Sequence, residues 1–305
     1  MSRGSPRRTA APVILSLACG LPVLGGACVV RVESSDYTAR EEKRFTVTGT
    51  PDVTLVTFGG AIEIRAWDKP DVLVEVERQG ATKEVAEAIV IKAEQEGSRI
   101  RVEARRPDTG ESLLHTFVSP SRSARIVASL PTTCNLLARS GDGSIQAEQL
   151  NGRIELRTED GPVRGIDLSG DVHVDTDDGS IRLEPVDGAV HVRTGDGSVV
   201  VTGRLTAVRA ETGDGSVVLR AEAGSVMADS WEIASGDGGV VVYLPERFDA
   251  DLDASTADGV IRADTELGVE PREAVDKRVL QARLGQGGRT FRIRTTDGSI
   301  NLRRR

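Results

Sequence analysis

Two sets of side chains in this sequence recur at an interval that could bring their donor atoms together. Asp142, Asp160, Asp178, Asp196 and Asp214 are each followed by glycine and lie 18 residues apart, and His173 and His191 share that interval. Stacked carboxylates repel one another, and Ca²⁺, which takes several oxygen ligands, would relieve the repulsion. Paired imidazoles offer a metal site or a pH switch. Each set also has a plainer reading. An Asp before Gly bonds its own turn, and Gly143, Gly161, Gly179, Gly197 and Gly215 suit a backbone that needs φ > 0. The Asp-Gly turns are therefore read as structural, with Ca²⁺ as the alternative. That alternative is best served at Glu159, Asp160, Asp177 and Asp178, because Gly141, Gly195 and Gly213 precede the turn aspartate in the other copies. The calcium-binding nonapeptide GGxGxDxUx is absent. Glu155 and Arg209 continue the column of the two histidines, so the column reads as a solvated face and no metal is assigned to it.

Other candidates for chemistry are sparse. His115 has Ser112, Ser119 and Ser121 nearby, without the Ser-centred elbow or ordered acidic partner of a nucleophilic triad. A β-helical carbohydrate-active enzyme would need a cleft joining acidic groups to an aromatic platform, and Trp67 and Trp231 are the only tryptophans. Trp67 is expected to pack against or cap the first turn of the repeat and Trp231 to serve as core or cap, between Val226 and Ile233.

The elements that would position these residues follow from the repeat. Within each unit one strand follows the Asp-Gly turn and a second follows a looser turn at Gly152, Gly170 or Gly188. Ile145, Val163, Ile181, Val199 and Val217 form one apolar column, and Ile154, Val172, Val190 and Val208 form another. These are core positions of a coil whose passes lie about 4.8 Å apart. An outward column reads Arg157, Asp175, Arg193, Glu211. Alternating sign is expected of direct neighbours, whereas an antiparallel meander would hold residues 18 apart at about 10 Å. The fold class is therefore all-β, a parallel β-solenoid of ~18-residue two-strand rungs, with regular rungs over about 140–222. Asp237, Asp258 and Asp297 continue the series at wider intervals, and whether the last rung near Leu302 is covered is left open by the sequence. "VASLPTTCNLLARSGDGSI" (127–145) parallels "VVYLPERFDADLDASTADGVI" (241–261), which points to a partly duplicated module. Residues 82–95 contain a short helix, and 105–122 read as a loop excursion.

Composition agrees with a narrow interior. Aromatic residues make up 3% of 305, too few to fill a wide core, so Val, Ile, Leu and Ala must do so. The net charge of −8 comes without the basic stripe that neutralises phosphates, and nucleic acid is not an expected partner.

The N-terminus has the layout of a secretory signal: Arg3, Arg7 and Arg8, an apolar stretch from Ala10 to Leu24, then Gly25, Gly26 and Ala27. Leu24-Gly25-Gly26-Ala27-Cys28 resembles a bacterial lipobox, with its Leu one place further from the cysteine than usual. Residues 1–27 are thus expected to be a lipoprotein-type signal peptide, Cys28 the lipidation site and membrane anchor, and 28–44 a polar tether to a body spanning 45–303. With Cys19 removed and Cys28 lipidated, Cys134 is the one remaining thiol and no intrachain disulfide forms.

"FGGAIEIRAWDKPDVLVEVE", "SLP" before "SGDGSI", the serial T-x-D-G-S-[IV] turns and the closing "GQGGRTFRIRTTDGSINL" resemble the bacterial putative-adhesin domain family over about residues 45–303. The resemblance implies an exported β-solenoid, often a lipoprotein, and carries no catalytic residues. The expected function is a non-catalytic cell-envelope lipoprotein that presents a rigid surface for adhesion or for protein and envelope contacts. Its location would be the outer membrane or periplasm, or the cell surface. A calcium-stabilised periplasmic structural or sensing module and a carbohydrate-active β-helix enzyme are the alternatives.

Overall fold

The computed structural model describes residues 37–106, 122–268, 270–271 and 277–305. Among them the protein is all-β: 23 strands join in one sheet, mostly in parallel pairs. One five-residue helix, Lys83–Glu87, and one 3₁₀ turn, Thr265–Leu267, accompany it.

The 18-residue interval acts through strand register. Leu136, Ile154, Val172, Val190 and Val208 are successive parallel partners, and so are Ile145, Val163, Ile181, Val199 and Val217. All are buried. Period-two alternation turns every second residue inward, so the two files of strands enclose a core of Val, Ile, Leu and Ala. The outward column also holds its register, from Arg157 through Asp175 and Arg193 to Glu211. Residues 18 apart are therefore direct parallel neighbours, as the charge column requires and a meander would not allow. Arg157 and Glu211 of this column nevertheless pair along their own strands, with Glu155 and Arg209, while Arg204–Asp187 and Arg220–Glu184 run between strands.

Both ends depart from expectation. Residues 37–44 belong to the folded body, not to a tether: strand Tyr37–Phe45 pairs antiparallel with Val72–Gly80 along its whole length. Its register is supported by Arg40–Glu77, Arg78–Glu41 and Arg44–Asp71. A strand that alternates charge with charge carries no apolar signal, so its pairing is invisible to hydropathy. At the other end, spatial order differs from chain order. Strands Thr290–Thr295 and Ile300–Arg304 insert between Trp231–Leu244 and Ala250–Ala263. The Asp297 turn consequently lies between those of Asp237 and Asp258, and the rung at Leu302 is covered, Leu302 being buried between Val242 and Ala263.

Antiparallel strands close both ends. Val279–Leu284 pairs with Ala250–Thr256, while Val90–Glu96 pairs with Arg99–Arg105. The outermost strands "YTAREEKRF" and "VIKAEQE" are rich in charge, which discourages edge-to-edge aggregation. Helix Lys83–Glu87, capped by the Thr82 hydroxyl, realises the front of the predicted 82–95 segment; the rest is strand Val90–Glu96.

Candidate functional site

The Asp-Gly turns form a stack whose chemistry differs from the expected one. None of Gly143, Gly161, Gly179, Gly197 and Gly215 has a left-handed backbone; positive φ falls instead on the looser-turn glycines Gly152, Gly170 and Gly188, at 141°, 102° and 142°. The Asp-Gly glycines are required by close approach. A Cβ on Gly179 would overlap the Gly161 carbonyl oxygen of the preceding pass, and Gly161, Gly197 and Gly215 repeat the relationship. Nor do the aspartates bond their own turns. Asp142, Asp160, Asp178, Asp196 and Asp214 are exposed, and the turn is fastened by the hydroxyl two residues before each of them. Thr194 Oγ1 accepts from Gly197 N–H at 3.2 Å and donates to the Gly179 carbonyl at 2.9 Å. Thr212, Ser235 and Thr295 make the same two bonds. These hydroxyls are buried, where an unpaired polar group would be costly. The T-x-D-G motif contained the signal; its Thr, not its Asp, is the fastener.

The histidines are brought together with a third group that sequence reasoning missed. Asp171 and His173 project from the same face of strand Leu168–Thr176, being two residues apart, and His191 is the parallel partner of His173. The rings lie 4.6 Å apart at 30°. Asp171 Oδ1 is 3.4 Å from His173 Nδ1 and 3.9 Å from His191 Nδ1. These are ion-pair distances and neither contact is a hydrogen bond, the one to His191 being too long for one. All three atoms are buried without a hydrogen-bond partner, although the side chains as wholes are 36–48% exposed. Among the described residues, this is the one group of three His, Cys, Asp or Glu side chains whose ligand atoms all lie within 4.8 Å of one another. Burial pushes the His191 pKa below its usual 6.5, helped by His173 and Arg209 and opposed by Asp171 and Asp229.

Solvation does describe the ends of this column. Glu155 pairs with Arg157 and Arg209 with Glu211, which draws both flanking charges along their strands. A groove of about 340 Å³ opens over the column, lined by Glu155, His173, Asp175, His191, Arg209 and Glu211 among others. The available signal for Asp171 was its Asp-x-His spacing, which places both side chains on one strand face.

Other sequence candidates separate. Trp231 is fully buried and packs on Phe248 and Phe291, at centroid distances of 5.0 and 5.5 Å. It is core, so no cleft joins it to acidic groups. Trp67 does not cap the sheet, since its strand lies between Arg122–Pro131 and Ile145–Glu148. Its indole N–H donates to the Asp71 carbonyl, and the Lys69 ammonium sits 4.8 Å from the ring centroid. Cys134 is buried and free, its thiol pKa pushed up to about 12 by desolvation. The signal peptide, Cys28 and His115 with its neighbouring serines lie outside the described residues. No helix among the described residues is long and apolar enough to cross a membrane.

No curated protein matches the chain. It is similar to solved structures at low identity. A "putative lipid binding protein" from Parabacteroides distasonis is 15% identical with a TM-score of 0.43, over 86% of this chain and 96% of that one. A "putative adhesin" from Bacteroides fragilis is 11% identical with a TM-score of 0.42, over 87% and 97%. A "putative cell adhesion protein" from Clostridium sporogenes is 15% identical with a TM-score of 0.28, over 88% and 100%. Residues 55–303 match the family model described as Toastrack DUF4097, and the chain belongs to that family.

Proposed function

We propose that this protein is an exported, non-catalytic binding module of the bacterial cell envelope. It is a β-solenoid of ~18-residue two-strand passes, held at a membrane by a lipid on Cys28, that presents columns of charged side chains to an envelope or surface partner. The observation that carries this reading is the register of the outward column Arg157, Asp175, Arg193, Glu211. Paired backbones hold these side chains at fixed intervals, which suits a repetitive partner engaged by many weak contacts. Such binding is salt-sensitive and depends on avidity. Val29 after Cys28 lacks the Asp that retains some bacterial lipoproteins at the inner membrane, which favours the outer membrane. The net charge of −8 disfavours nucleic acid as the partner.

Two measurements test this. Metabolic labelling with a fatty acid should mark the protein and fail to mark the Cys28→Ser variant; an unlabelled wild type would remove the lipid anchor. Protease added to intact cells should digest the body. Protection until the outer layer is permeabilised would replace the adhesin role with that of a periplasmic structural or sensing part. The exposed acidic edge at Glu159, Asp160, Asp177 and Asp178 supports a second reading, in which Ca²⁺ stabilises that periplasmic part.

A further inference from the structure

We propose that Asp171, His173 and His191 form a binding site for a late first-row transition-metal dication, with Zn²⁺ as its natural probe, that clips two adjacent passes of the sheet together. The three donor atoms converge, and each is buried without a hydrogen bond. Buried polar atoms are normally paired, and three unpaired ones within 4.8 Å of one another are a donor set that a shared cation would satisfy. The dimensions agree. Metal–ligand bonds of about 2.0–2.1 Å in a tetrahedron place donor atoms about 3.4 Å apart; Asp171 Oδ1 and His173 Nδ1 are 3.4 Å apart, His191 Nδ1 is 3.9 Å from the same oxygen, and the whole set lies within 4.8 Å, so His191 must move inward by at least about half an ångström to close on an ion.

The donor set selects the class of metal. Two imidazole nitrogens and one carboxylate oxygen suit Zn²⁺, Ni²⁺ or Cu²⁺, whereas Ca²⁺ and Mg²⁺ call for an all-oxygen shell. The surroundings leave room. In the Asp171 row the next two passes carry Ala189 and Ala207, so the carboxylate is open on that side; Arg153 is its neighbour on the other and makes no ion pair with it, and Arg209 is held away by Glu211. Three protein ligands leave a fourth position toward the groove, the arrangement of an open zinc site. Because His173 and His191 sit on strands joined by parallel pairing, one ion would link the passes at this face.

The test is titration of the purified, chelator-stripped protein with Zn²⁺ against a chromophoric competitor, with Co²⁺ absorption reporting geometry. One equivalent is expected to bind with micromolar or tighter affinity. His173→Ala or His191→Ala should weaken binding at least a hundredfold, and Asp171→Asn at least tenfold. The melting temperature of the wild type should rise with Zn²⁺ and not with Mg²⁺, and the Co²⁺ form should show the intense visible bands of a tetrahedral centre. These side chains project outward, so circular dichroism is expected to find the variants folded. Absence of saturable binding at 100-fold excess Zn²⁺ would overturn the proposal, as would equal binding by the His173→Ala/His191→Ala double variant. Both readouts are independent of where the protein is located and of what it binds.

Discussion

The carbonyl oxygen of Gly161 occupies the space where a Cβ on Gly179 would stand. The next Asp-Gly turn repeats the contact, with Gly197 over Gly179. The repeat thus keeps glycine at this position because successive turns sit directly on one another.

Gly179→Ala should therefore cost up to about 3 kcal/mol, the upper part of the roughly 1–3 kcal/mol range of an overpacked interior site, because the atom it meets is backbone, although its own backbone is not left-handed. Gly268 offers the contrast: φ is 61° and nothing lies within 4 Å of its would-be Cβ. Gly268→Ala should cost about 1 kcal/mol through backbone conformation alone. Urea denaturation of both variants checks the order; equal costs would mean that the turns do not bear on each other.

Removing one fastening hydroxyl tests the ladder beneath the turns. Thr194→Val keeps the shape but leaves the Gly197 N–H and the Gly179 carbonyl without their partner. A loss of about 1–3 kcal/mol is expected, since unsatisfied buried groups retain their desolvation cost. Thr194→Ser should recover most of it in the same denaturation assay.

These two residues explain what could be read in advance. The apolar columns and the 18-residue register were legible because burial imposes period two and stacking imposes the repeat. The motif T-x-D-G was legible too, but its roles were not. Composition links Asp-Gly with a hydrogen-bonded left-handed turn, whereas here stacking drives the carboxylate outward and gives its task to Thr194 and its equivalents. Tyr37–Phe45 escaped notice because it pairs through charge, and the insertion of Thr290–Arg304 between earlier strands leaves no trace in local pattern. Asp171 was hidden because reading down the histidine column does not include its diagonal neighbours.

Cys134 gives the protein an alkaline liability. Its thiol pKa is raised from the usual 9.0 to about 12 by burial, so the folded state keeps a proton that the unfolded chain releases. Stability from this source is complete below pH 9 and declines as pH rises from about 9 to about 12. At pH 10 the loss should be about 1.4 kcal/mol. Denaturation of wild type and Cys134→Ala between pH 8 and 10.5, under reducing conditions, isolates the contribution. Parallel stability curves for the two proteins would refute it.

The column of turn aspartates separates the structural reading of the repeat from the calcium reading. Asp178 and Asp196 are exposed and stand on adjacent passes, whose backbones lie about 4.8 Å apart, so their like charges oppose each other at low ionic strength. The Asp178→Asn/Asp196→Asn variant should be as stable as the wild type to within about 0.5 kcal/mol. Any gain should fade as salt screens the repulsion. Millimolar Ca²⁺ and Mg²⁺ should then act alike on both proteins, as general screening by a divalent cation. A rise in melting temperature produced by Ca²⁺ but not Mg²⁺, and abolished in the double variant, would make the aspartates ligands. The hydroxyl ladder would remain the fastener of each turn, and the acidic column would become a functional edge. A Zn²⁺ response confined to the histidine face is independent of either result, because Asp171, His173 and His191 share no side chain with this column.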